Sequence, residues 1–162
     1  MALHPTRNDI PAKQRVKLCE LLNIRLADAV DLSSQVKQAH WNVKGPSFIA
    51  LHELFDKIHD GVEQQVDTLA ERITALGGVA TGTVAAVARA SSLGSYPLSI
   101  TRGQDHLAAL AKVLAAYGAG LRKAIGTSDK LGDEVTADLF TGMAGDNDKN
   151  LWLVEAHLQA DR

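Results

Sequence analysis

The chain holds a single cysteine, Cys19. No internal disulfide can form, so the fold does not depend on an oxidising compartment. Cys19 lies beside leucines in a helical pattern and is expected to be a packed thiol. Aromatic residues make up only 4% of the chain and alanine is abundant, which favours closely packed helices over a β-sandwich. No apolar run approaches the ~20 residues that a membrane-spanning helix requires. The opening MALHPTRND lacks the apolar core of a signal peptide, so a cytoplasmic protein without a membrane partner is expected. Neither sign of charge dominates. Lys and Arg number 17 against 19 Asp and Glu, for a net charge of −2, which gives no global reason to expect nucleic-acid binding.

What is present fits one helical domain. A chain of 162 residues with 46% apolar content can bury a substantial core. A first helix is predicted from Pro11, a residue favoured at the first helical position, with Asp9 as its cap, to Lys37 or beyond. Its buried stripe reads Leu22, Leu26, Ala29, Ser33, Val36 and His40. After the turn-rich stretch Asn42 to Pro46, Ser47 can cap a second helix that buries Leu51, Phe55, Ile58, Val62, Leu69, Ile73 and Leu76 and stops at Gly77-Gly78. Residues 79–100 read as a long connection with a short helix over Val84 to Ala88 and an extended Ser95-Tyr96-Pro97. A third long helix follows from Thr101, with Leu107, Leu110, Leu114, Tyr117, Leu121 and Ala124 on one side. A turn is expected over Gly126 to Gly132. The fourth helix starts near Asp133 and is expected to bury Val135, Leu139, Met143, Leu151, Val154 and Leu158. Two antiparallel helix pairs joined by a long crossover make an all-α, ferritin-like four-helix bundle. Residues 1–10 are expected to be a mobile tail and residues 11–162 the bundle domain.

Chemistry concentrates on the second helix. His52 and Asp56 form one pair at i, i+4 spacing, and Asp67 and Glu71 form another. Side chains four apart share a helix face, so each pair can bite a metal. At 100° per residue, Asp56, Asp67 and Glu71 lie about 40°, 60° and 100° around from His52. Asp56 and Asp67 are nevertheless roughly 16 Å apart along the axis, too far for one ion within one chain. The two pairs are equidistant from a point between Gly61 and Val62. Two copies of this helix, antiparallel about a two-fold axis there, would bring His52 and Asp56 of one copy to Asp67 and Glu71 of the other. The ligand stripe flanks the buried stripe, where a subunit interface belongs, and isologous dimers are the commonest oligomers. His40 can complete the set from the end of the first helix. Imidazoles mixed with carboxylates suit iron or manganese, with zinc an alternative. The chain has no Glu-x-x-His motif, the signature of di-iron sites built inside one bundle.

A plain polar face competes with this. Pairs at i, i+4 are commonly solvated, Glu63 and His59 lie on the same stripe, and Asp67 and Glu71 could pair with Arg72. A lone His40 could equally be a satisfied core histidine.

Three segments carry a resemblance: Gln38-Ala39-His40-Trp41-Asn42-Val43-Lys44-Gly45, Phe48 to Asp56 with His52-Glu53-Leu54-Phe55-Asp56, and Asp67-Thr68-Leu69-Ala70-Glu71-Arg72. Together with Ser95-Tyr96-Pro97-Leu98 and Asp148 to Trp152, they make the chain resemble the DNA-binding proteins from starved cells, the Dps family of mini-ferritins, over nearly its whole length. The resemblance implies a hollow homo-dodecamer with ferroxidase centres at two-fold interfaces. His40, His52 and Asp56 would come from one subunit, and Asp67 and Glu71 from its partner. It implies oxidation of Fe(II), preferentially by hydrogen peroxide, storage of ferric mineral in the shell and protection of DNA from oxidative damage. Trp41 matches a tryptophan beside that centre, with electron supply, radical quenching or packing as its role. Trp152 is expected in the core. Acidic pores near the start of the last helix would use Asp133 and Asp138, although Asp133 can be an ordinary helix cap and Asp138 plain surface. Zinc could occupy the same centre, since His59 lies one turn from Asp56.

DNA-binding members of this family often use a lysine-rich tail. Here residues 1–17 hold only Arg7, Lys13, Arg15 and Lys17 against Asp9, and counterion release needs several cations per contact region. Weak or no DNA binding is expected. The competing function is a nucleoid-compacting structural protein with an incidental metal site.

Overall fold

Five helices carry the described residues, 3–159, of the computed structural model. They are α1 (Ala12–Asn42), α2 (Phe48–Ala75), α3 (Val84–Ala90), α4 (Gly103–Lys130) and α5 (Glu134–Gln159). The described residues contain no β-strand, only an isolated bridge between Lys44 and Arg102.

Helices α1 and α2 form one antiparallel hairpin and α4 and α5 a second. The ends of the elements fix their directions. α2 finishes beside the start of α1, where the His4 N–H donates to Gly77 O at 2.7 Å and Arg15 Nη1 donates to Leu76 O at 2.9 Å. α4 starts beside the end of α1, where the Lys44 N–H donates to Thr101 O at 2.9 Å. The crossover, residues 76–102, therefore travels the full height of the bundle. It is pinned to α1 on the way. Asn23 Nδ2 donates to Val79 O, the fully buried Asp28 carboxylate accepts from the Ser92 N–H at 2.7 Å, and Gln35 Nε2 donates to Gly94 O at 2.9 Å.

The expected stripes of α1, α2 and the third long helix, α4, are all buried. Phe55, Tyr117 and Phe140 are the bulkiest fully buried side chains. Each large apolar side chain taken from water contributes about 1.5–3 kcal/mol. The stop at Gly77-Gly78 is a full Schellman motif. The Gly78 N–H reaches Ile73 O, the Gly77 N–H reaches Thr74 O, and Gly77 takes φ +84°, which only glycine adopts without strain.

Several expectations shift. α4 runs straight through Gly126 and ends at Lys130, with the left-handed turn at Gly132, φ +74°; a helix tolerates one glycine at a cost of about 1 kcal/mol. Asp9 does not cap α1, whose N-cap is Pro11; Ser47 stands at the N-cap of α2 as expected but makes no side-chain cap bond. On α5 the buried set is Thr136, Phe140, Met143, Ala144, Asn147 and Val154, while Val135 is exposed. Asn147 belongs inside because its Nδ2 donates to Leu114 O at 3.0 Å. Gly118 leaves room for it, since a Cβ there would sit 2.7 Å from that nitrogen. Cys19 is fully buried against α2, and burial pushes its thiol pKa up, as a packed, inert thiol requires. Within the expected tail, residues 3–10 are non-helical. Leu3 and Ile10 pack on the core, and Arg15 Nε holds Ile10 O at 2.9 Å.

Candidate metal centre

The tight turn after α1 brings the last turn of that helix against the first turns of α2, and so brings two imidazoles together. The rings of His40 and His52 stack with centroids 3.7 Å apart and planes 22° from parallel. Each is held by the other's backbone. His40 Nδ1 lies 2.9 Å from His52 O, and His52 Nδ1 lies 2.9 Å from His40 O. The His40 carbonyl needs such a partner. The residue four further on, Lys44, gives its N–H to Thr101 instead, so this carbonyl is one of the orphans of a helix end. A carbonyl only accepts, so Nδ1 carries the proton in both rings. The lone pair then sits on Nε2, the form that binds metal, in an orientation fixed before any metal arrives.

Asp56 lies one turn beyond His52. Its Oδ1 accepts a short hydrogen bond from Lys37 Nζ and lies 3.7 Å from His40 Nδ1. The Lys37 hydrogen bond, reinforced by the Lys37 charge, holds this carboxyl below its ordinary pKa. Asp56 is therefore an anion already neutralised by an ammonium, and a cation entering here must displace Lys37. The Lys37→Met variant is expected to bind Fe(II), or Co(II) as a spectroscopic probe, more tightly in the assembled protein. An exposed ion pair is worth little, so the gain should be about two- to fivefold; equal or weaker binding by titration would show that Lys37 does not compete.

Asp67 and Glu71 are exposed. The Arg72 pairing does not form. Arg72 Nη2 forks onto both Asp133 oxygens at 2.9 and 2.8 Å, and Nε donates to Thr136 Oγ1 at 2.9 Å. Neither Asp67 nor Glu71 has an ion pair among the described residues. The structure thus gathers His40, His52 and Asp56 at one end of the hairpin and leaves Asp67 and Glu71 further down α2. Among the described residues of one protomer, no three His, Cys, Asp or Glu side chains are placed to hold one ion.

Two polar side chains of α1 contact the ligand stripe in a way that spacing along α2 does not show. Lys37 is one. Ser33 is the other: its Oγ donates to Glu63 and lies 3.0 Å from His59 Nδ1, so the remaining polar groups of the stripe are tied back to α1. Both lie on the His40 face of α1, three and seven residues earlier, and that spacing was the available signal.

The remaining positions divide. Trp41 is 65% exposed next to His40. Trp152 is 59% exposed rather than in the core, because α5 buries Val154, about 200° around the helix from it. Asp133 is buried; its carboxylate caps α5 through the Thr136 N–H at 3.1 Å and pairs with Arg72. Asp138 is exposed on α5. Of the basic residues near the N-terminus, Arg15 spends its guanidinium on backbone carbonyls, which leaves Arg7, Lys13 and Lys17 exposed. No described helix is long and apolar enough to cross a membrane.

The ferritin-like domain family matches residues 19–162. The chain is 45% identical over 159 residues to the DNA protection during starvation protein of Agrobacterium fabrum, covering 98% of each chain. Among solved structures it is similar to the Dps of Mycobacterium smegmatis, with a TM-score of 0.91 at 34% identity over 99% of this chain and 95% of that one. DpsA14 from Streptomyces coelicolor superposes with the same TM-score at 38% identity, covering 99% and 96%.

Proposed function

Because the chain belongs to the Dps family of ferritin-like proteins, we propose that it is a ferroxidase that uses hydrogen peroxide to oxidise Fe(II) and stores the ferric product inside a dodecameric shell. Its role is to withdraw iron and peroxide from the chemistry that damages DNA. The observation that carries the reading is the reciprocal hold on His40 and His52, which ties down both Nδ1 atoms and leaves both Nε2 atoms to bind metal, with Asp56 one turn beyond His52.

Iron is the substrate here, and the donors fit it. Imidazole and carboxylate are its ordinary protein ligands, without the thiolates of a structural zinc site. His40, His52 and Asp56 supply one half of each centre, and Asp67 and Glu71 of an antiparallel neighbour supply the other. Hard anionic oxygens stabilise Fe(III) over Fe(II) and so ease oxidation. Two Fe(II) ions give one electron each to one peroxide, which with two protons becomes two waters, so no free radical is left. Lys37, released from Asp56 as iron arrives, remains nearby as a compensating cation. Trp41, next along the chain from His40, is placed to give up an electron when only one iron is present. Iron would enter by a pore beside the start of α5, where Asp138 supplies the exposed carboxylate and Asp133 holds the helix end in place.

A shell of twelve copies carries few free cations near each N-terminus, and we assign it weak or no DNA binding at physiological salt. Stopped-flow mixing of anaerobic Fe(II) with the purified protein tests the function. Ferric absorbance should rise faster with peroxide than with dioxygen, with one peroxide consumed per two Fe(II). A rate no faster than buffer alone would end the reading.

A further inference from the structure

The chain has two tyrosines, and their hydroxyl partners differ in kind. Tyr117 is fully buried in the core, and its hydroxyl donates to the Gln65 amide oxygen at 3.0 Å. An amide oxygen is not a base. Tyr96, on the crossover, has its hydroxyl 2.6 Å from Nδ1 of His106 on the first turn of α4, with the two rings near parallel. His106 is buried, and its Nε2 has no hydrogen-bond partner. Burial pushes the Tyr96 phenol pKa up and the His106 pKa down. Both shifts favour the neutral forms, and in the tautomer with the imidazole proton on Nε2 the phenol is the donor and Nδ1 the base at the end of a short hydrogen bond. The backbone of Asn42 and Ile100 lies beside the imidazole, and it and the Asp105 charge favour the charged form. Asn42 is two residues from His40, about 3 Å of helix rise. The backbone beside His106 thus belongs to the same last turn of α1 that carries His40.

Removing an electron from a phenol is easy only if its proton leaves at the same time, and a base on the hydrogen bond permits that. We propose that Tyr96 and His106 form a one-electron trap. A hydroxyl radical released when one Fe(II) cleaves peroxide takes an electron from the Tyr96 phenol, whose proton moves to Nδ1 of His106. The radical becomes hydroxide, and the protein holds a neutral phenoxyl against an imidazolium. A further Fe(II) then returns an electron, the proton moves back, and the pair is reset with one Fe(III) formed. The sum is hydroxyl radical plus Fe(II) giving hydroxide plus Fe(III). Tyr117 has no base and cannot do this. The trap rests on the ferroxidase reading for its source of radicals and for its reductant.

Freeze-quench EPR on the assembled protein decides it, with less than one Fe(II) per centre and excess peroxide. A phenoxyl signal is expected in the wild type and in Tyr117→Phe and should be absent in Tyr96→Phe. In His106→Gln the amide can still accept the hydroxyl but cannot take its proton, so the signal should be lost while far-UV CD and shell size stay unchanged. High-field spectra of the wild type should show the shift in principal g-value that a hydrogen bond from imidazolium produces. Ferric absorbance in the same samples reports the oxidation chemistry separately. If no iron is oxidised, the ferroxidase reading fails, and the trap is then tested with hydroxyl radicals from iron-free peroxide photolysis. A signal that persists in Tyr96→Phe, is unaltered in His106→Gln, or lacks that shift in the wild type would overturn the trap in either experiment.

Discussion

Two inactive variants are expected to rescue one another. Subunits carrying His52→Ala and Asp56→Ala lose two ligands from one half of each centre, and subunits carrying Asp67→Ala and Glu71→Ala lose both from the other. Each shell alone should oxidise Fe(II) with peroxide at least about 10²-fold more slowly than wild type, since outer-shell changes alone cost 10- to 100-fold. Reassembled from an equimolar mixture, the shells should regain about a quarter of the wild-type rate. Random pairing at a two-fold interface makes half of the interfaces mixed. One of the two centres at each mixed interface then combines an intact His52 and Asp56 with an intact Asp67 and Glu71. Centres contained within one chain would give no rescue at any mixing ratio. A mixture as inactive as its parents would therefore remove the shared-site geometry, whatever the single variants do.

The second large effect is on stability. Asp133 is buried, caps α5 and accepts on both oxygens from Nη2 of Arg72 in the last turn of α2. Removing one member of a buried ion pair strands the other charge, at a cost of about 3–5 kcal/mol. Asp133→Ala should lower the unfolding free energy by that amount in urea at neutral pH and matched protein concentration. Replacing both members, with Arg72→Met and Asp133→Leu, should cost distinctly less, because no charge is stranded. The pH dependence has a definite sign. Burial pushes the Asp133 carboxyl up, but the hydrogen bonds from Thr136 and Arg72 and the Arg72 charge outweigh it and hold the folded pKa below the ordinary value. The stabilisation is fully present above the unfolded carboxyl pKa of about 3.9. It is lost as pH falls from there through the folded value. The gap between wild type and Asp133→Ala should thus be constant from neutral pH to about pH 5 and close in more acid solution. A gap that widens on acidification would mean that the carboxylate is not what holds α5.

All four long helices were legible, and on three of them the buried stripe was too, because enough apolar residues recur on that face for a 3.6-residue period to show. The buried face of α5 was not, because it includes Thr136 and Asn147, whose polarity is satisfied by the cap residue Asp133 and by the Leu114 carbonyl on α4. A stripe drawn through apolar residues alone therefore picks up Val135, which is exposed, and misses Phe140. Gly126 misled for a related reason: a glycine looks the same in sequence whether it ends a helix or lies within one, and only the left-handed backbone at Gly132 distinguishes them. The i, i+4 spacing of His52 with Asp56 follows from helix geometry alone. The crossed hydrogen bonds of His40 and His52, and the ammonium on Asp56, depend on how two helices dock, and no spacing within one helix encodes that. Arg72 illustrates the same limit. Its neighbours in sequence suggested Asp67 and Glu71 as partners, whereas the fold brings it Asp133, 61 residues away.

Both indoles of the chain lie on the outside of the folded protomer, at Trp41 and Trp152. A lone protomer should therefore fluoresce at the long wavelength of hydrated indole. Any neighbour that covers either ring will move the emission to the blue, and a paramagnetic ion arriving beside His40 will quench Trp41 in preference to Trp152. Shell formation and iron entry can thus be followed in one cuvette without an added label.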